Sequence, residues 1–190
     1  MHTHQTNWLS QLEENLSQHA HLPFAHFVQI ATIDGDGRPA NRTLTFRFFI
    51  SEDRLIFTTD TRTEKIRHLT QHPYAEACWY FTESRTQFRL SGKLSVVTSS
   101  DDAECMTARQ RTWRERTNAS RQSFTWPSAG ETIANKENFS LPCPQEPPDN
   151  FGLLILAPER VECLNLFKHP HERIIHERVN QVWYQRQINP

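Results

Sequence analysis

Two stretches of this chain carry residue types that can do chemistry together: Arg42-Thr-Leu-Thr-Phe-Arg47 and Phe57-Thr-Thr-Asp-Thr-Arg-Thr-Glu-Lys65. The first reads as a strand, the second as a strand running into a helix. Hydroxyls, backbone N–H groups and cations then gather at one helix N-terminus, the donor set a phosphate requires. Thr61-Arg-Thr-Glu64 fits a capping box, with Thr61 as the cap and Glu64 three residues on. On that reading Lys65 lies in the first helical turn, where the macrodipole disfavours a cation by roughly 0.3–1 kcal/mol. A bound phosphate reverses that sign. Thr58, Thr59 and Thr63 add hydroxyls, and Arg62 adds a planar fork. Taken alone, the stretch reads more simply as a solvated lysine beside ordinary capping threonines.

Arg42 and Arg47 have opposite parity, so a regular strand sends them to opposite sides. One can grip a phosphate while the other meets a second ligand or a partner subunit. Gln87 opens a strand after the polar turn Glu83-Ser-Arg85. An amide both donates and accepts, which suits the edge of a flavin or pterin ring.

The elements that must position these groups follow from periodicity. Trp8, Leu9, Leu12 and Leu16 give residues 7–20 an amphipathic helical pattern. Phe27–Ile33 reads as a strand, closed by the hairpin signal Asp34-Gly-Asp-Gly37. In the strand from about 41 to 50, Leu44, Phe46, Phe48 and Ile50 share one face, and Thr43, Thr45 and Arg47 the other. A short strand at 55–58 leads to the helix from Thr61, which Pro73 stops. Strands follow near 75–82 and 86–97. A second helix spans about 101–116, opened by Ser100 with Asp101 and Asp102 in its first turn.

Five prolines between 127 and 148 forbid a long regular element, so residues 125–150 form a loop, either a lid or partner contact or a plain insertion. Phe151-Gly-Leu-Leu-Ile-Leu156 reads as a buried strand, Ala157-Pro-Glu-Arg160 as a turn, 161–166 as a strand, and 172–178 with 182–188 as a final hairpin. Many short strands with few helices predict a mainly β fold, a closed or nearly closed barrel with flanking helices. The chain's 190 residues suit one domain, with a leading helical segment over 1–24. No strand–helix alternation and no G-x-G-x-x-G occur, which argues against a dinucleotide fold.

Composition narrows the function classes. Lys+Arg is 21 against Asp+Glu 22, without the basic excess of a nucleic-acid binder. The run Arg109, Arg111, Arg114, Arg116 reads first as a solvated helix face, although phosphate contacts are open to it. No stretch approaches the roughly 20 apolar residues of a membrane span, and no signal peptide is evident, so a cytoplasmic chain is expected. Cys78, Cys105, Cys143 and Cys163 form no C-x-x-C pair and read as reduced structural thiols. His169, His171 and His176 lack the partners of a metal site, and none is expected.

Taken together, Arg42-x-x-x-x-Arg47, Phe57-Thr-Thr-Asp, Thr63-x-Lys65, Gln87-Phe-Arg-Leu-Ser-Gly92 and the closing Trp183-Tyr-Gln-Arg-Gln-Ile-Asn-Pro190 resemble the pyridoxamine 5'-phosphate oxidase-like family of FMN-binding split barrels. The resemblance runs from about residue 25 to 190. It implies that FMN is the cofactor, and that Arg42, Thr43, Leu44, Thr45, Phe46 and Arg47 line its phosphate and ring. It implies that Thr58, Thr59, Arg62, Thr63 and Lys65 hold the ribityl chain and phosphate, and that Gln87 reaches the isoalloxazine. Arg121 or Gln122 adds a looser contact. Arg47 and Arg173 become candidates for a substrate phosphate or carboxylate, and the expected assembly is a homodimer turning over a small molecule such as a phosphorylated B6 vitamer.

Three departures from the family pattern weaken the substrate assignment more than the cofactor assignment. The middle of the family's Ser-Arg-Lys is Glu64, leaving Arg62 as a substitute cation. The family's Arg-x-His-x-Arg reads Arg173-Ile-Ile-His176-Glu177, and an expected Trp reads Leu164. The alternative function is an FMN-binding protein or flavin reductase without pyridoxamine phosphate oxidase activity. A small barrel that binds nucleic acid or a protein partner is the rival from another class.

Overall fold

The structure is a computed structural model that describes residues 7–51, 53–98, 102–133, 139 and 141–190. Its elements are α1 (Asn7–Gln18), β1 (Phe27–Ile33), β2 (Pro39–Ile50), β3 (Arg54–Asp60), α2 (Glu64–Gln71), β4 (Tyr74–Phe81), β5 (Thr86–Val97), α3 (Ala103–Arg114), α4 (Asn118–Gln122), β6 (Phe151–Asn165), β7 (Glu172–Val179) and β8 (Val182–Ile188). A single turn of 3₁₀ helix, Ser123–Thr125, follows α4.

The strands form one antiparallel sheet in the order β3-β2-β1-β4-β5-β6-β7-β8. An additional β3–β6 pairing, Leu55 opposite Leu156 through Asp60 opposite Phe151, closes the first six into a barrel. The hairpin β7–β8 extends β6 beyond the closure. The mainly β barrel with flanking helices expected from strand spacing is therefore the fold.

Closure explains the apolar runs. Leu55 and Phe57 on β3, with Leu154 and Leu156 on β6, join the barrel core, where Trp79, Phe88 and α1's Trp8 and Leu12 also sit. Ile56, Leu153 and Ile155 point to the other side, into a second cluster built on Trp113, Phe124 and Phe151. Strands buried on both faces read as continuous rather than alternating hydrophobics. α3 is thereby held against the outside of the β3–β6 seam.

Three local expectations need correction. β2 does not keep one parity: the register shifts between Phe46 and Phe49. Leu44, Phe46 and Phe49 pack on the barrel core, while Phe48 and Ile50 join the second cluster. A bulge places an extra residue on one side of the strand, which is what splits the expected face. Phe151–Asn165 is one strand, not two with a turn: β6 runs on through Ala157 and Pro158, with its irregularity opposite Ser91 and Gly92. A β-carbon on Gly92 would overlap the Ala157 carbonyl oxygen, so glycine is what lets β5 pass the bulge. The second helix begins at Ala103; Asp102 is its cap, accepting from the Cys105 N–H, and Ser100 and Asp101 lie outside the described residues.

No helix among the described residues is long and apolar enough to cross a membrane.

Candidate functional site

α2 starts later than the capping-box pattern suggests. Thr63, not Thr61, is the N-cap, and its side chain makes no capping bond. Asp60 organises the entry instead. Its carboxylate accepts from the Arg62 N–H at 2.9 Å, and its carbonyl accepts from the Thr63 hydroxyl at 2.6 Å and the Thr59 hydroxyl at 3.2 Å. With their protons directed there, both threonine oxygens are left as acceptors. Lys65 Nζ donates to Thr63 Oγ1 at 2.7 Å and reaches Thr59 Oγ1 at 3.5 Å.

Lys65 therefore turns back over the helix start. Burial, and secondly the positive charge of Arg42, push its pKa down to about 8, with Asp60 acting in the opposite sense. Asp60 offers limited compensation because its carboxylate is held by the Arg62 guanidinium, at 2.6 Å to Nη2 and 3.0 Å to Nε. Arg42 comes from β2, and its Nη1 donates to the Ala40 carbonyl at 2.7 Å, Thr32 Oγ1 at 2.8 Å and the Ile30 carbonyl at 3.2 Å. Burial lowers its pKa as well. Arg42 and Lys65, far apart in sequence, thus form one desolvated cationic cluster at the barrel end.

A second cluster lies on the other side of β3. Thr58 accepts from Arg116 Nη1 at 3.1 Å. The Arg116 guanidinium sits 4.9 Å from the Phe124 ring centre and 5.7 Å from that of Phe151. Burial, and then the charge of Arg47, lower its pKa to about 10; burial likewise lowers that of Arg47. The Nε atoms of Arg47 and Arg116 are buried without a hydrogen-bond partner among the described residues. Glu115 is the carboxylate that acts on Arg47, but it lies exposed and ion-pairs with Arg111 at 2.8 Å. Buried donors left unpaired between two like charges suit an anion.

Adjacent residues on one strand thus serve different clusters: Thr58 with Arg47 and Arg116, Thr59 with Arg42 and Lys65. Composition gave no warning of Arg116, because the run from Arg109 reads as a solvated face. The available signal was position: Arg116 follows the end of α3 closely, just after the buried Thr112 and Trp113. Arg109 is structural, donating to the Phe151 and Pro148 carbonyls at 2.9 and 2.8 Å.

The other candidates are dispersed. Arg62, in the turn before α2, reaches the segment after α4 by donating to the Trp126 carbonyl at 2.9 Å. Arg121 donates to the Trp113 and Arg114 carbonyls, and Gln122 to the Leu141 carbonyl. Leu44 and Phe46 pack into the core, whereas Thr43 and Thr45 stand opposite Gln29 and Phe27 of β1.

Gln87 lies in a cross-strand row on the outer sheet face: Tyr80 opposite Gln87, Gln87 opposite Leu164, Leu164 opposite Arg173. Arg173 donates to Glu162 at 2.6 and 2.9 Å, and that buried carboxylate also pairs with Arg89 and Arg160. His176 has the opposite parity. It stands across from the core residue Val161, is buried, and burial lowers its pKa. It does not join Arg173. Among the described residues no group of three or more His, Cys, Asp or Glu is placed to hold a metal.

Residues 5–98 match the family model described as pyridoxamine 5'-phosphate oxidase, FMN-binding domain. Pyridoxine/pyridoxamine 5'-phosphate oxidase 2 of Arabidopsis thaliana is 32% identical over 200 residues, spanning 100% of both chains. The chain belongs to the pyridoxamine 5'-phosphate oxidase family. A crystal structure of a pyridoxamine 5'-phosphate oxidase-related, FMN-binding protein from Nostoc punctiforme superposes with a TM-score of 0.91 at 38% identity, covering 99% of this chain and 100% of that one. PhzG from Burkholderia lata shares the fold, with a TM-score of 0.80 at 21% identity over 96% of this chain and 92% of its own.

The cofactor of this family is FMN. The residues present fit its anionic end: two desolvated cations and two hydroxyls converge where α2 begins. Of the departures from the family pattern, Leu164 falls on the row that contains Gln87 and Arg173, Glu177 stands opposite Arg160, and His176 faces the other way, opposite Val161.

Proposed function

We propose that this protein is an FMN-dependent oxidoreductase whose substrate is a small molecule bearing a phosphate or carboxylate, with phosphorylated B6 vitamers as the first candidates. The observation that carries this reading is the division of half-buried cations into two clusters by β3. A cofactor phosphate needs one such cluster; the second offers a place for another anion. Arg42 and Lys65, with Thr59 and Thr63, would hold the FMN phosphate. Arg47 and Arg116, with Thr58, would hold the substrate anion. Leu44 and Phe46 contribute through the strand they stiffen, and Gln87 would meet the ring edge with its amide.

FMN, when bound, would supply the redox chemistry for oxidising a substrate carbon that bears an amine or hydroxyl group, with oxygen as the electron acceptor. The protein's share is orientation. A planar guanidinium fixes an anion bidentately, and its stacking on Phe124 and Phe151 restricts where that anion can sit. The aromatic wall also lowers the local dielectric, which strengthens the charge–charge attraction.

A homodimer is part of the proposal. The outer sheet face exposes Phe27 and Tyr80 beside the row of Gln87, Leu164 and Arg173. A second copy covering that face would enclose the flavin ring. Light scattering of the purified protein tests it: a monomer at micromolar concentration counts against it.

The deciding experiment loads the protein with FMN and supplies pyridoxamine or pyridoxine 5'-phosphate, following oxygen uptake. Turnover of either supports the reading, with the dephosphorylated vitamers markedly poorer. Failure of both phosphorylated vitamers favours the second reading, a flavin reductase or flavin carrier. That reading is motivated by Arg173, whose guanidinium is already held by Glu162 rather than free for a substrate. Reduction of FMN by a nicotinamide donor would then identify it.

A further inference from the structure

We infer that Thr32 and His68 are positioning residues for Arg42, and through it set how tightly the protein grips the phosphate, not the ring, of its flavin. The inference rests on the reading that Arg42 and Lys65 hold that phosphate.

Thr32 occupies an inward position of β1. It alternates with Ala31 and Ile33 and shares its face with the fully buried Val28 and Ile30. A hydroxyl at a core position loses water and must find partners within the protein. It has two: Arg42 Nη1 at 2.8 Å and His68 Nδ1 at 3.0 Å. A guanidinium can only donate, so the Thr32 oxygen accepts from Arg42. The single hydroxyl proton is then free for His68 Nδ1. The other ring nitrogen, Nε2, lies 3.9 Å from Glu64 Oε1 at the start of α2.

His68 is 2% exposed and Thr32 1%. Two buried polar side chains from different elements thus meet in a chain that ends on Arg42. The three bonds that Arg42 makes among the described residues all leave from Nη1. Because the guanidinium is a rigid plane, fixing one nitrogen fixes the direction of the other two. Nη2 and Nε are thereby held as a ready fork beside Lys65. Orienting Arg42 before the ligand arrives removes an ordering cost from phosphate binding.

The test compares FMN with riboflavin, which lacks the phosphate, by titrating the flavin-stripped full chain and following flavin fluorescence. Thr32→Val, nearly isosteric, should weaken FMN binding about fivefold, within the net worth of a single hydrogen bond. Riboflavin affinity should stay within about twofold on the same scale. His68→Leu should behave alike, while Thr32→Ser and His68→Asn, which restore a polar partner, should recover FMN affinity. Adding Thr32→Val to Arg42→Ala should cost nothing more. Equal losses for FMN and riboflavin, or additive losses in the double variant, would overturn the inference. So would full FMN affinity in Thr32→Val when Arg42→Ala is impaired. If Arg42→Ala itself binds FMN normally, the phosphate assignment falls and the inference falls with it.

Discussion

The guanidinium of Arg42 lies close enough to the Lys65 ammonium to lower the lysine's hold on its proton. Two cations kept together under partial burial destabilise a protein unless something anionic joins them. The relationship therefore has opposite signs in the two states of the molecule, unfavourable without a ligand and favourable with a phosphate. Lys65→Ala and Arg42→Ala should each weaken FMN binding by about 1.5–3 kcal/mol, the range for a charge-assisted hydrogen bond. Lys65→Ala should not lower the melting temperature of the flavin-free protein, whereas Arg42→Ala should lower it, because it also orphans the buried Thr32 hydroxyl and the Ala40 and Ile30 carbonyls. Calorimetric titration and a thermal melt of each variant check the pair of expectations, and unchanged FMN affinity in both variants would refute the site.

The lowered pKa of Lys65 gives a pH dependence with a definite sign. Unfolded, the lysine keeps its proton up to its ordinary value of 10.5; folded and flavin-free, it loses it near 8. Between those values the unfolded chain binds more protons, so this group's contribution to stability rises with pH across the window. FMN affinity runs the other way, because the phosphate needs the charged ammonium. Binding at pH 8.5 (about half a unit above that pKa) should take up protons, visible as a buffer-dependent heat of binding. Lys65→Met should abolish that uptake. Proton uptake that survives the substitution would assign it to another group.

Arg47 and Arg116 should separate from Arg42 and Lys65 in kinetics. Arg116→Met removes the donor to Thr58 and relieves the repulsion on Arg47. With a phosphorylated substrate, KM should rise by about 10- to 100-fold, corresponding to a lost charge-assisted bond. FMN affinity should stay near that of the parent. Loss of FMN with no change in KM would exchange the roles of the two clusters.

The scaffold was legible in the sequence, and so was the cluster proposed to hold the cofactor phosphate; the sequence was silent where a residue's role depends on which face it reaches. Lys65, Thr59, Thr63 and Arg42 could be named because a helix start and neighbouring strands are short-range features. The helix nevertheless begins at Glu64 rather than after Thr61, since Asp60 forms the turn and Thr63 turns its oxygen to Lys65. Arg116 was hidden because charge runs on helices look alike whether solvated or packed on Phe124 and Phe151. Arg47 was ambiguous because the β2 bulge, set by tertiary closure, decides which side follows Phe46. Pro158 suggested a turn; a bulge opposite a glycine absorbs it instead.

That bulge yields a stability prediction independent of any ligand. A β-carbon at Gly92 would overlap the Ala157 oxygen and stand 2.8 Å from the Pro158 α-carbon, both backbone atoms that cannot swing aside. Gly92→Ala must therefore push β5 off β6, at a cost toward the upper end of the about 1–3 kcal/mol of overpacked interiors. Gly37 provides the control. It has φ of +79° and nothing within 4 Å of where a methyl would sit, so Gly37→Ala meets backbone strain alone, about 1 kcal/mol. Urea midpoints of the two variants should differ accordingly. The same displacement at Gly92 would shift the strand pair that sets Gln87 opposite Leu164, so Gly92→Ala should also impair flavin binding while Gly37→Ala leaves it intact. Equal midpoints for the two variants would show that β5 and β6 have slack at the bulge that the close approach of Gly92 to Ala157 denies.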